Sequence, residues 1–179
     1  MSMITLVFST GIGILFLLSG FSKIVALRES VASIKKLKLF SDIISTFLGL
    51  TFPFFEVALA ILIILYKSSL IVNLVALCIT VVFMLINYKM ISDRKKISCF
   101  CFGNIIKTEL GYGGLTQSFL MLVCFLLNII ITSQNSLLLI KDIELKLLIL
   151  YIVTSILWTI TLLLIRSTID LLYRIPVRD

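Results

Sequence analysis

The chain alternates long runs of apolar side chains with short polar breaks. No charged residue occurs from Met1 to Ser22, and uncharged or nearly uncharged runs then recur from Ile4 to about Ala26, Ile43 to Tyr66, Leu70 to Tyr88, Leu115 to Thr132 and Leu147 to Ile165. A helix of about 20 residues rises about 30 Å, enough to cross the hydrocarbon core of a bilayer. Helices of soluble domains keep one polar face, and these runs have none. The pattern therefore predicts an all-α integral membrane helical bundle of four to five transmembrane helices. Residues 1–179 are almost consumed by the spans, which leaves one membrane domain and no second, soluble one.

The polar breaks refine this picture. The basic region of a cleaved signal precedes its apolar core, whereas here Lys23 follows the first run, so that run is expected to be retained. Ser9, Gly13 and Gly20 fall near one face of it, as small residues do where neighbouring backbones approach closely. Between Arg28 and Asp42, the apolar Val31, Ile34, Leu37 and Leu39 are interspersed with Lys35, Lys36 and Lys38, the pattern of an amphipathic interfacial helix. No internal repeat or low-complexity segment interrupts the spans.

Composition agrees: 60% of residues are hydrophobic and the formal net charge is +7. The basic side chains flank membrane spans, which speaks against nucleic acid as a partner and for anionic head groups. Five spans place thirteen Lys and Arg on one side, among them Lys23, Arg94, Lys95, Lys96 and Arg166, and only Lys67, Lys141 and Lys146 on the other. The positive-inside rule then predicts a multi-pass plasma-membrane protein with its N-terminus outside and the connection after the third span in the cytoplasm.

That connection holds the most distinctive chemistry, Cys99 and Cys101, one residue apart. A disulfide between them closes a very small ring, departs from relaxed geometry and is easily reduced, as an exchange catalyst requires. Arg94, Lys95 and Lys96 favour the thiolate, and Gly103 permits a backbone turn. Two other readings stand beside it. A structural zinc needs about four ligands, and the chain has no histidine; simple burial remains open, because a free cysteine is a small hydrophobe. Cytoplasmic placement argues against a static disulfide. Cys78 and Cys124, in the third and fourth spans, lie at similar depths of roughly 14 to 18 Å and form a possible second thiol pair, with burial as the alternative. In the second span Pro53 frees a backbone carbonyl, and Glu56 is an intramembrane carboxylate, either functional or ordering the bundle.

Ser19-Gly20-Phe21-Ser22-Lys23 at the end of the first span, Pro53-Phe54-Phe55-Glu56 in the second, and Cys99-Phe100-Cys101-Phe102-Gly103 before the fourth occur in an order that resembles the methylamine-utilisation protein MauE family, within the wider DoxX-like membrane proteins. The resemblance covers roughly Ile4 to Thr132. It implies a small helical bundle that assists maturation of secreted, disulfide-containing proteins, often beside thioredoxin-like partners. It also implies a redox role for Cys99 and Cys101, with Glu56, Gly103 and Lys23 in support. The commoner family form is Cys-Gly-Cys, and here Phe100 separates the cysteines. Nothing in the chain identifies methylamine metabolism itself.

The expectation is thiol–disulfide exchange through Cys99 and Cys101 with a thioredoxin-like protein or a secreted client. A membrane quinone is the candidate cofactor, with Glu56 as proton acceptor. The alternative is a non-catalytic membrane accessory, a maturation scaffold or immunity protein for a secreted peptide. A small-molecule transporter is disfavoured by the scarcity of intramembrane ionisable groups.

Overall fold

The computed structural model describes residues 3–39, 41–66, 69–93, 98–99, 108–134 and 145–173. Its elements in chain order are helices α1 (Met3–Val25), α2 (Leu27–Leu37), α3 (Asp42–Leu65) and α4 (Leu70–Ser92), strands β1 (Ser98–Cys99) and β2 (Thr108–Glu109), and helices α5 (Tyr112–Gln134) and α6 (Leu145–Leu172). Five of the helices, α1 and α3 to α6, are long and apolar enough to cross a membrane. The chain is an all-α, multi-pass membrane protein.

Helix α1 is the centre of the bundle. It packs against α3, α5 and α6, while α4 pairs with α5 and α5 with α6. Of its membrane window, 56% is buried inside the bundle, against 22% to 39% for the other four. Glycine makes this possible. A Cβ at Gly20 would lie 2.6 Å from Val57 Cγ2 and 3.0 Å from the Pro53 carbonyl, and one at Gly13 would lie 2.8 Å from Ile64, so α1 and α3 touch almost backbone to backbone. Both glycines belong to the small-residue face expected for α1.

The interior combines an apolar core, including Ile12, Phe16, Ile63, Ala76, Phe125 and Leu162, with buried polar groups. Phe21, Phe47, Phe54, Phe55, Leu74, Leu85 and Leu157 face outward. This distribution suits lipid, in which apolar side chains gain little by hiding and polar ones must find partners. Asn128 of α5 donates to Asn73 of α4 at 2.9 Å, Thr159 of α6 donates to the Gly11 carbonyl of α1 at 2.9 Å, and Thr10 is hydrogen-bonded to Tyr151.

Helix α2 is amphipathic, as its pattern predicts. Arg28, Glu29, Lys35 and Lys36 are exposed and Ser30 is buried. It packs on the first half of α3, where a Cβ at Gly49 would stand 2.7 Å from the Val31 backbone. Pro53 has no N–H for the Gly49 carbonyl four residues earlier, and the Ser30 hydroxyl donates to that carbonyl at 3.4 Å. Lys38, the one non-glycine residue with positive φ among those described (φ 51°), ends α2 in the left-handed conformation.

Several helices extend beyond the apolar runs that predict them. Helix α4 continues past Tyr88 to Ser92, α5 begins at Tyr112 rather than Leu115, and α6 continues past Ile165 to Leu172. Two residues counted as loop cations, Lys23 and Arg166, are instead buried inside the bundle, because each has a polar partner there. Leaving these two aside, eleven Lys and Arg flank the spans on one side and three on the other.

Candidate functional site

The Lys23 ammonium, at the end of α1, donates to both carboxylate oxygens of Glu56 in α3, at 2.6 and 2.7 Å, and Ser19 donates to Glu56 Oε2 at 3.3 Å. The pair is almost sealed, with 8% and 1% of the two side chains accessible. The ammonium also lies over the rings of Phe52 and Phe83, 5.3 and 5.6 Å from their centroids, and these two rings meet edge to face. Charge is thus compensated by a carboxylate and two π-faces inside the bundle. Proline 53 and Glu56 point inward while Phe54 and Phe55 between them face outward, as helical spacing requires.

A second polar group lies across the bundle. Arg166 of α6 donates from Nη1 to Gln117 Oε1 of α5 at 2.7 Å, and its Nε lies 3.9 Å from Asp170, one turn further on. Gly113 and Gly114 let α5 approach closely here: a Cβ at Gly113 would meet the Arg166 carbonyl at 2.6 Å, and one at Gly114 would collide with the Asn87 amide of α4. Asn87 accepts from the Gly111 N–H at 3.2 Å, which ties the end of the hairpin to α4.

Between the two groups is a cavity of about 400 Å³. Its walls come from the halves of the five spans nearest α2 and the β1–β2 hairpin, with Leu15 and Phe16 of α1, Phe52 and Glu56 of α3, Phe83 and Asn87 of α4, Gln117 and Met121 of α5 and Arg166 of α6 among them. Ser33, Ile34 and Leu37 of α2 close one side. Leu110, just after β2, also lines it. In the hairpin Cys99 pairs with Thr108 and Ser98 with Glu109.

The family model described as "Methylamine utilisation protein MauE" matches residues 1–131. The chain belongs to the MauE family. No curated protein and no solved structure matches it. The stretch matched by the MauE model carries Ser19, Lys23, Pro53, Glu56, Asn87, Cys99 and Gln117, and α6, which contributes Arg166, lies beyond it.

Of the residues singled out in sequence, this MauE-family fold brings Lys23 and Glu56 into direct contact. Cys99 is placed in β1, while Cys101 and Gly103 lie outside the described residues. Cys78 and Cys124 are both free thiols in different settings: Cys78 is exposed on α4, and Cys124 packs into the core. Sequence reasoning missed Gln117, Asn87 and Arg166 as site residues. Their signal was present, since each is a polar residue within or at the edge of an apolar run, the default mark of an intramembrane site.

Proposed function

We propose that this MauE-family protein carries out thiol–disulfide exchange through Cys99 and Cys101 in support of the maturation of secreted proteins. The observation that carries the reading is the pair of thiols in the α4–α5 connection, with Cys99 in a hairpin whose exit residue, Leu110, forms part of the wall of a largely apolar cavity that also includes Lys23, Glu56, Gln117 and Arg166. Exchange proceeds by thiolate attack. One sulfur of a disulfide is attacked, the other leaves as thiolate, and a second thiolate resolves the mixed disulfide, so that one dithiol is oxidised as one disulfide is reduced. A thioredoxin-like protein, or a client met on the hairpin's side of the membrane before it is secreted, supplies the other pair. The residual flanking charge supports a plasma-membrane orientation with the N-terminus outside and the hairpin in the cytoplasm.

The test replaces Cys99 and Cys101 with serine, singly and together, and follows the thiol state of secreted proteins by alkylation. Loss of client oxidation or reduction in the double variant, and accumulation of a mixed disulfide in one single variant, are expected. Unchanged clients in all three variants would overturn the exchange reading and leave a membrane accessory whose cysteines are dispensable.

A further inference from the structure

The cavity wall includes a buried hydrogen-bond donor that no described residue accepts from. Arg166 has only N–H groups to offer, so the Gln117 amide must present its oxygen to Arg166 and its NH2 away from it. That nitrogen has no hydrogen-bond partner among the described residues, although Gln117 is 3% exposed and lines the cavity. The Ser33 hydroxyl, on the α2 side of the same space, is likewise buried with no partner among the described residues. A donor left unbonded at membrane depth is costly, and a ligand that accepts a hydrogen bond relieves the cost.

The charge around the space constrains the ligand further. Lys23 is held by both oxygens of Glu56, and Arg166 lies beside Asp170 and against Gln117. With each cation next to a carboxylate, the site is matched to a neutral head group rather than to an anion. The remaining wall is apolar and partly aromatic, with Phe16, Phe83, Ile79 and Met121, and so suits a flat ring and the start of a hydrocarbon tail. About 400 Å³ lies in the ordinary size range of small-molecule sites.

We propose that this cavity binds a neutral, lipid-soluble carbonyl compound of the quinone class, with one ring carbonyl accepting from Gln117 Nε2 and the ring against Phe16 and Phe83. The inference rests on the exchange reading for its purpose and deepens it by naming the lipid-soluble electron partner. Antiparallel pairing holds the Cα atoms of Cys99 and Thr108 within about 5.5 Å, and two residues of chain reach at most about 7 Å, so Cys99 lies within roughly 13 Å of Leu110 in the cavity wall. Oxidation of a dithiol to a disulfide releases two electrons and two protons. A quinone takes up both and becomes the quinol, so the exchange closes without a third reagent.

The experiment labels the purified full-length protein in lipid nanodiscs with an azido-substituted decyl benzoquinone under light and maps the modified peptides. Labelling is expected on Ile79–Asn87 and Leu110–Met121, with competition by decylubiquinone and none by palmitate. Gln117→Leu, which removes the donor at similar volume, is expected to weaken competition about fivefold, the ordinary effect of one hydrogen bond. Leu48→Trp fills the space from its half-buried wall and is expected to abolish labelling in protein that still elutes as a single species, so the test stands even if Gln117→Leu does not fold. Phe119→Trp, on the outward face of α5, serves as the control and is expected to label like the parent. Labelling confined to outward-facing residues, unchanged labelling in Leu48→Trp, or stronger competition by palmitate than by decylubiquinone each overturns the proposal. The Cys99→Ser/Cys101→Ser double variant is expected to keep the label. Failure of exchange therefore shows in client thiols, and failure of the quinone site shows in labelling.

Discussion

Lys23 and Glu56, 33 residues apart, meet at 2.6 Å inside the bundle and join the end of α1 to the middle of α3. Ser19, Phe52 and Phe83 pack around the pair, and both side chains are buried. Breaking such a pair from one side strands the other charge, which typically costs about 3–5 kcal/mol, whereas replacing both partners with apolar groups can be nearly neutral. Lys23→Met and Glu56→Met are each expected to lower the thermal midpoint of the detergent-solubilised protein sharply, and the double variant to recover most of the loss. Additive losses in the double variant would show that the two residues act separately.

Close approach of α1 and α3 makes a sharp steric prediction. Gly20→Val places its Cβ against Val57 and the Pro53 carbonyl, where backbone cannot yield as a flexible side chain can. Overpacking of this kind costs about 1–3 kcal/mol. The expected result is a lowered thermal midpoint, while Gly111→Ala, which meets nothing within 4 Å, leaves it nearly unchanged.

Ser30 and Pro53 should show coupling through the Gly49 carbonyl. The Ser30 hydroxyl serves the Gly49 carbonyl only because Pro53 offers it no N–H. Ser30→Ala is expected to cost up to about 1 kcal/mol in the parent chain. In a Pro53→Ala background the backbone bond is restored and the same substitution should cost less. A double-mutant cycle on thermal or denaturant midpoints measures the difference.

Thiol labelling separates the four cysteines. Cys78 is exposed on the membrane-spanning part of α4, where lipid covers it, and Cys124 is packed in the core. A membrane-impermeant maleimide applied to both faces of inverted and right-side-out vesicles is expected to label the parent through Cys99 or Cys101 and to miss the Cys99→Ser/Cys101→Ser double variant. Persistent labelling of the double variant would show that water reaches Cys78 or Cys124.

Much of this architecture is legible in one dimension. The five apolar runs coincide with the five spans, and Val31, Ile34 and Leu37 mark the inward face of α2. Misreadings cluster where a charge lies at the edge of a run. Arg166 follows Ile165 at the point where the apolar pattern gives way to polar residues, and sequence alone reads it as a loop cation; Gln117, 49 positions earlier, is what keeps it inside α6. Lys23 was misread for the same reason.

The sequence by itself determined the membrane class, the number of spans, the family motifs and the neighbouring cysteines, because length, hydropathy and spacing are local properties that act before any tertiary contact forms. Tertiary structure decided which buried polar groups meet: Lys23 with Glu56, Gln117 with Arg166, Asn87 with Gly111, and the cavity they surround. Such pairs are chosen in three dimensions, since a polar group in lipid must bond to whatever helix packing brings within reach, and nothing in the spacing of residues 33 or 49 positions apart encodes that encounter.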